Sequence, residues 1–236
     1  MRKIIVLTFV SLDGIMQAPG GPEEDPSGGF RYGGWTFPYF DEFLGREMMT
    51  QMSRPFDALL GRKTYDIFAS YWPHALPEDE PLARILNRAR KYVVSTTLQN
   101  PSWENTVVIN GDVVAEITRL KKTDGPDLQV SGSSTLIQTL LKAGLIDEFW
   151  LKIFPVTLGT GKRLFGEGTI PVYFFARLIR NAYVYSVTVK PGYVKRGRIL
   201  IDGERRWKTL NLPIRLLLLG IAPSTLLKRG SITPTR

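Results

Sequence analysis

The sequence predicts an α/β fold with a mostly parallel central sheet and helices on both faces. Two observations lead to this prediction: apolar runs of strand length alternate with amphipathic runs of helical length, and several strands pass directly into helices. Parallel strands need such crossover connections, so the alternation favours strands that point in one direction. Ligands of these sheets bind beyond the carboxyl ends of the strands, which makes the strand-to-helix junctions the candidate site.

The first strand is predicted over residues 3–10, where Ile4 to Leu7 are continuously apolar, and Ser11-Leu12-Asp13-Gly14 follows as a turn. A Gly- and Pro-rich loop spans residues 19–34. Pro38 opens a helix predicted over residues 38–52, because apolar side chains recur there at helical spacing. The other predicted strands are 57–61, 91–95, 106–110, 128–132 and 148–154, and the other helices are 62–70, 83–88, 113–122 and 135–143. Gly144 is expected to end the last helix at its C′ position.

Composition excludes several kinds of site. The chain contains no cysteine, so disulfides, thiolate metal ligands and cysteine nucleophiles are excluded. The single histidine, His74, is interpreted as a polar loop residue, and no metal site is predicted. The apolar stretch after Met1 reaches Asp13 too soon for a signal peptide or a membrane-spanning helix. A cytoplasmic location without membrane partners is therefore expected.

The net charge of +9 is concentrated in the C-terminal part of the chain. Residues 176–236 hold 13 of the 31 basic and two of the 22 acidic residues, which gives them +11 and leaves −2 for residues 1–175. Because the predicted domain itself is not basic, nucleic acid is not expected as its partner. The tail is interpreted as poorly ordered and solvated, with nucleic-acid or membrane-surface binding as the alternative.

Two strand-to-helix junctions carry small and phosphate-binding residue types. Gly61-Arg62-Lys63-Thr64 offers a close backbone approach, two cations and a hydroxyl, although ordinary helix starts share this pattern. Ser131-Gly132-Ser133-Ser134-Thr135 could hold a pyrophosphate or could be an N-cap. Neither junction matches the G-x-G-x-x-G or the Walker pattern, so each is a weak signal alone.

The order and spacing of five motifs is more specific. These motifs are Ser11–Gly14, Gly61–Thr64, Val93–Thr97, Ser131–Ser134 and Pro155–Gly159. Together they resemble the dihydrofolate-reductase-like superfamily, and the run Leu158–Phe165 looks like the Gly-rich segment of the riboflavin biosynthesis reductase domain (the C-terminal domain of the bifunctional deaminase-reductase). The resemblance covers residues 1–171 and implies a three-layer dihydrofolate-reductase-like fold, an NADPH cofactor and a homodimer.

The resemblance also assigns residues. Arg62 would meet the ribose 2′-phosphate, which implies NADPH rather than NADH. Ser11 and Asp13 would lie beside the nicotinamide and the substrate as the catalytic residues; the alternative for Asp13 is a turn aspartate bonded to its own backbone. The implied cofactor-binding residues are Gly14, Gly61, Arg62, Lys63, Thr64, Ser95, Thr96, Gly132, Ser133, Ser134 and Thr135.

Further residues are candidates for the substrate. Asp41 or Glu42 could bind and help protonate a pterin, although acids are favoured in a first helical turn by the helix dipole alone. Trp35 and Phe37 could flank a flat heterocycle or could close a core. The predicted substrate-binding residues are Trp35, Phe37, Asp41, Pro155, Leu158 and Gly159.

The sequence therefore predicts a reductase domain over residues 1–175 and an atypical basic tail over residues 176–236. Asn181–Lys190 could form a strand and Pro191-Gly192 a turn, so one hairpin is allowed in the tail. The leading hypothesis is an NADPH-dependent reductase of a nitrogen heterocycle, with 5-amino-6-(5-phosphoribosylamino)uracil as first candidate substrate. The alternatives are a dihydrofolate or pterin reductase, and a non-catalytic nucleotide-binding or basic-tailed binding protein.

Overall fold

A computed structural model describes residues 1–167 in full, together with the backbone of three later strands. Six strands pair in parallel: β1 (Ile4–Ser11), β2 (Phe56–Gly61), β3 (Lys91–Val94), β4 (Thr106–Ile109), β5 (Asp127–Ser131) and β6 (Glu148–Phe154). Three pair antiparallel: β7 (Tyr173–Arg180), β8 (Tyr185–Lys195) and β9 (Arg198–Leu200). The sheet order is β4-β3-β2-β5-β1-β6-β8-β7, and β9 pairs with β8.

In the described part of the chain, five α-helices cover the two faces of this sheet, which confirms the predicted α/β fold class. They are α1 (Glu42–Met52), α2 (Arg62–Tyr71), α3 (Glu80–Arg88), α4 (Val113–Lys121) and α5 (Ser134–Lys142). Alternate residues of β2 show which helices cover which face of the sheet. Leu59 packs with side chains of α4 and α5, whereas Ala58 and Leu60 pack with those of α1, α2 and α3. Because successive strand residues point to opposite faces, both faces of the sheet contribute to apolar cores.

Two helix ends clarify the predicted boundaries. Pro38 lies in a 3₁₀ turn over Phe37–Tyr39, so the prediction that it opens the first helix is wrong. That helix begins at Glu42, and the Asp41 carboxylate accepts a hydrogen bond from Leu44 N at 2.8 Å as its N-cap. Gly144 follows α5 with a φ of 64°, the left-handed conformation that its predicted C′ position requires.

The sheet continues beyond the predicted domain boundary. The boundary at residue 175 falls inside β7, and one compact unit of the chain covers Met1–Leu200. Pro191 and Gly192, predicted as a turn, lie within β8 instead. That strand pairs antiparallel with β6 from Phe149 to Ile153 and with the whole of β7.

The long Gly- and Pro-rich loop is anchored through a buried carboxylate at Asp25. This residue is 6% exposed and contacts Lys63 Nζ at 3.0 Å and Lys162 Nζ at 2.5 Å. Burial disfavours its charged form, but hydrogen bonds from Lys162, Ser27 and Lys63 outweigh burial and lower the pKa of Asp25 to about 2. The loop is thereby tied to α2 and to the Gly-rich segment.

Within the part of the chain that the structure describes, no helix is both long and apolar enough to cross a membrane. The segment Ile201–Arg236, which includes the apolar run 216–221, lies outside the described residues.

The pairing of β8 with β6 gives a prediction for truncated chains. A chain ending at residue 175 should lose cooperative unfolding, because β6 would lose the backbone partner that β8 provides. A chain ending at residue 200 keeps this pairing and should unfold cooperatively. Thermal unfolding followed by circular dichroism distinguishes the two, and a cooperative transition in the shorter chain would show that β7 and β8 are dispensable.

Replacing the loop anchor should change stability in a pH-dependent way. Asp25→Asn is expected to lower the free energy of unfolding at pH 7 by about 2 kcal/mol, because the ion pairs that hold the pKa of Asp25 near 2 are lost. The pKa of Asp25 in the folded state lies below 3.8. The difference between the two proteins should therefore persist above pH 5 and shrink as the pH falls toward 2.

Urea unfolding from pH 2.5 to pH 7 measures this difference. The control is Glu116→Gln, which removes an exposed helical ion pair with Arg119 and should change stability by at most about 0.5 kcal/mol. An Asp25→Asn difference that does not vary with pH would refute the role of the charge.

Candidate functional site

The pairing of β2 with β5 brings the two predicted phosphate-binding junctions into contact at the carboxyl edge of the sheet. Helix α2 follows β2 directly, and α5 follows β5 after Gly132 and Ser133. Ser133 Oγ accepts a hydrogen bond from Gly61 N at 2.9 Å and donates one to Thr64 Oγ1 at 2.8 Å. The two junctions therefore form one structure, although they lie far apart in the sequence.

The N-termini of α2 and α5 differ from those of two other helices. Asp41 and Asp112 cap α1 and α4 through their side chains. No side chain caps α2, α3 or α5, and of these α2 and α5 begin at the junction. Ser133 adopts the left-handed conformation at φ 63°, and its hydroxyl bonds to Gly61 and Thr64. Because the first N–H groups of a helix lack partners within the helix, these two ends offer donors to an anion.

Close contacts favour small residues at positions 61 and 132 of this site. A Cβ built at Gly132 would lie 3.3 Å from Thr64 Oγ1, and its φ of 70° disfavours any other residue. A Cβ at Gly61 would lie 3.3 Å from Ser133 Oγ. Ser134 begins α5 and is half-buried, whereas Thr135 is exposed. The junction thus presents backbone and hydroxyl groups, which suits the phosphates of a dinucleotide.

Arg62 provides the positive charge at one side of this junction. Its Nη1 donates to Thr97 Oγ1 at 3.0 Å, and its Nε donates to the Asp66 carboxylate at 2.8 Å. Ser95 is 7% exposed, and its hydroxyl accepts from the backbone N–H of Thr97 and Leu98, so it builds the turn. Thr96 is exposed at the same turn, and Thr97 is the residue of this turn that contacts Arg62.

Lys63 points away from this cation. Its Nζ pairs with Asp25 of the long loop. Arg62 also pairs with a carboxylate, that of Asp66, but its Nη1 contacts Thr97 of the neighbouring turn. Arg62 is therefore the better candidate of the two for a ribose 2′-phosphate.

The predicted catalytic pair is held in an internal network. Asp13 accepts a hydrogen bond from Ser11 Oγ at 2.6 Å and from Gly159 N at 2.7 Å, and it also accepts one from Leu158 N. The Ser11 hydroxyl in turn accepts from Ile15 N at 2.9 Å. Burial raises the pKa of Asp13, but the bonds from Ser11, Gly159 and Leu158 outweigh it, so the net shift is downward.

This geometry makes Asp13 an ionised anchor of the Pro155–Gly159 segment. A carboxylate that accepts three donors at low pKa is a poor proton donor near neutral pH. Gly14 completes the turn at φ 83°, and its carbonyl accepts from Leu164 N at 2.9 Å. The network fixes the loop beside the carboxyl ends of β1 and β6.

The predicted substrate residues divide into buried and exposed groups. Trp35 is 7% exposed, donates from Nε1 to Gln17 O at 2.7 Å and packs edge-on against Phe154, so it closes a core. Phe37 is 55% exposed, and Asp41 is exposed as the cap of α1. Pro155 is exposed, and its carbonyl accepts a 3.4 Å hydrogen bond from the Tyr39 hydroxyl.

Sequence reasoning missed several polar groups near the site. Lys152 is fully buried on β6, with its Nζ bonded to Gln51 of α1, and Gln51 donates to Glu47 at 2.9 Å. Burial lowers the pKa of Lys152 to about 8. In the sequence, the feature that could have identified Lys152 is its position inside the apolar strand 148–154. For Asp25, the only such feature is its position in the long Gly- and Pro-rich loop. In the described residues, no cluster of metal-ligating side chains is present.

Comparison with known proteins agrees with this architecture. Residues 2–194 match the family model of the RibD C-terminal domain. The uncharacterized proteins YyaP and YwjB of Bacillus subtilis (strain 168) are 34% and 27% identical over 171 residues. These alignments cover 70% and 71% of this chain and 80% and 85% of the two relatives.

A solved structure supports the fold as well. A protein of Shewanella sp. PV-4, named for riboflavin biosynthesis, superposes with a TM-score of 0.57 at 22% identity over 80% of this chain and 98% of its own. The family match includes β7 and most of β8, so it extends beyond residues 1–171, which the resemblance in the sequence covers. The chain belongs to the RibD C-terminal domain family, and its mostly parallel sheet with helices on both faces has the architecture of the fold that the resemblance implies.

Proposed function

We propose that the protein is an NADPH-dependent reductase that transfers hydride to an electron-poor C=N or C=O carbon of a nitrogen heterocycle. The observation that carries the proposal is the contact between the uncapped N-termini of α2 and α5 at the carboxyl edge of the sheet. Two helix ends with free donors suit a pyrophosphate better than one. Membership of the RibD C-terminal domain family supports a reductase role.

Different residues around the junction would bind different parts of the cofactor. The backbone at Gly61, Gly132 and Ser133, with Thr64 and the start of α5, would hold the pyrophosphate. Arg62 and the turn at Ser95–Thr97 would face the adenosine 2′-phosphate, because a guanidinium binds phosphate oxygens bidentately. Bound NADPH would supply the hydride, and the protein would align it with the substrate.

The substrate would lie beyond β1 and β6, beside Leu158 and Gly159. Phe40 is 47% exposed and packs edge-on against Phe9 of β1, with 6.2 Å between the ring centres. These two rings and Phe37 provide aromatic surface for a flat heterocycle. The first candidate is 5-amino-6-(5-phosphoribosylamino)uracil, supported by the name of the Shewanella neighbour. Asp41 at the start of α1 is the acid that a pterin substrate would need, which keeps pterin reduction as the alternative.

Asp13 would act by positioning the 158–159 segment. The Ser11–Asp13 pair is occupied by internal hydrogen bonds, and this observation also favours the second candidate, a non-catalytic nucleotide-binding protein. Consumption of NADPH with a panel of pyrimidine and pterin substrates separates the two functions. A homodimer, a cytoplasmic location and a basic tail without nucleic-acid affinity stay predictions.

Cofactor selectivity tests the proposal directly. The protein should bind NADPH more tightly than NADH, and Arg62→Ala should weaken NADPH binding about 10- to 100-fold while changing NADH affinity little, because one charged phosphate contact is lost. Quenching of tryptophan fluorescence during titration measures both affinities. Arg46→Ala is the matched control, since Arg46 also pairs with a carboxylate four residues away on an exposed helix face. Equal loss in both variants, or no saturable binding of either nucleotide, would contradict the proposal.

The role of Asp13 is tested by Asp13→Asn. An asparagine directs N–H groups at the N–H donors of Leu158 or Gly159, so the variant should lose about 1–3 kcal/mol of stability. Since the pKa of Asp13 is lowered, this loss should be present at neutral pH and diminish as the pH falls below 4. Urea unfolding is the measurement. A variant of unchanged stability that no longer reduces substrate would instead identify Asp13 as a catalytic acid.

A further inference from the structure

A second concave surface lies at the opposite edge of the sheet. A cavity of about 630 Å³ is bounded by Phe56 at the start of β2, Asn105 before β4 and Pro126 before β5. Since these strands are parallel, the cavity faces their amino ends, whereas the cofactor junction lies at their carboxyl ends. A strand of six residues separates the two sites by roughly 20 Å.

Arginines dominate the polar part of this cavity. It is lined by five of them, Arg2, Arg54, Arg84, Arg88 and Arg90, against two carboxylates, Asp57 and Asp124. Residues 1–175 carry a net charge of −2, so the positive charge of this cavity contrasts with the negative net charge of the domain. The volume lies within the range of small-molecule sites, about 300–1,000 Å³.

The floor of the cavity is rigidly constructed around Arg2. Its side chain is 3% exposed, its Nε donates to Pro126 O at 2.6 Å, and its Nη2 pairs with Asp57. The guanidinium lies 5.7 Å from the centre of the Tyr92 ring. Arg2 therefore has its own partners and acts as a fixed support for the cavity.

The other arginines differ in their partners. Arg84 pairs with Glu80, and Arg88 complements the C-terminal dipole of α3. Arg54, between α1 and β2, makes no ion pair with the described residues. Arg90, before β3, makes none either, but its side chain bonds to Tyr92 and lies near the charge of Asp57. Both are exposed and line the same cavity from different segments. An anion between them would contact two guanidinium groups with charge-assisted hydrogen bonds.

Apolar side chains form the remainder of the lining. Met52, Phe56 and Ile85 provide a surface beside the arginines that inorganic phosphate alone would not use. We infer that this cavity is a second binding site, for a small organic phosphate whose phosphoryl group contacts Arg54 and Arg90 and whose apolar part rests on Met52, Phe56 and Ile85. The site is separate from the proposed cofactor site and does not depend on it.

Isothermal titration with phenyl phosphate and with inorganic phosphate tests this inference. Phenyl phosphate should bind saturably and more tightly than inorganic phosphate, because its ring covers the apolar lining. Arg54→Gln and Arg90→Gln should each weaken it about tenfold or more, and two separate variants keep the test decisive if one folds poorly. Arg46→Gln, which removes an exposed arginine on the surface of α1, should leave the affinity unchanged.

Arg62→Ala separates this site from the cofactor junction. Phenyl phosphate binding that survives Arg62→Ala and is lost in Arg54→Gln and Arg90→Gln supports the second site, whether or not the protein binds NADPH. Binding lost in Arg62→Ala alone, equal weakening by Arg46→Gln, or the absence of saturable binding would each overturn the inference.

Discussion

Strands β2 and β5 are neighbours in the sheet although two strands and three α-helices separate them in the sequence, and their pairing places α2 beside α5. The three-membered contact of Gly61, Ser133 and Thr64 depends on this pairing. It also explains the glycine at position 132, where a side chain would press against Thr64. Without this single strand pair, neither helix end would belong to a shared site, and the proposed cofactor contacts would have no common surface.

Carboxylates as well as apolar packing hold the surrounding loops. Asp25 forms ion pairs with both Lys63 and Lys162, and it thereby joins the long loop, α2 and the Gly-rich segment. Asp13 joins the turn after β1 to the segment after β6. Both have lowered pKa values because donors converge on them. These ionised groups fix the shape of the site and leave proton donation to other groups, which is consistent with a reaction governed by alignment of hydride donor and acceptor.

Buried polar residues add a second layer behind the site. Lys152 and Gln51 connect β6 to α1, on the face where Phe9 and Phe154 also pack. Lys91 is likewise fully buried, and its Nζ donates to the carbonyls of Asn87 and Glu104 while lying 4.2 Å from the centre of the Trp103 ring. Burial lowers the pKa of both lysines to about 8. Such groups are costly unless paired, so their partners specify how the helices and strands dock.

The sequence by itself determined the alternation of strands and helices, the strand-to-helix junctions and the C′ glycine at Gly144, because these depend on local periodicity and on backbone preferences. Through the order of its motifs, it also predicted that Gly61–Thr64 and Ser131–Ser134 bind the same cofactor. It misplaced Pro38 and ended the domain inside β7, since helix starts and edge strands depend on capping and pairing partners. Only the tertiary structure decided that Arg62 contacts Thr97 and that Lys63 forms an ion pair with Asp25. The same holds for the hydrogen bonds that the Asp13 carboxylate accepts from Leu158 and Gly159. Each of these contacts joins segments whose proximity arises from the strand order, which no local pattern encodes.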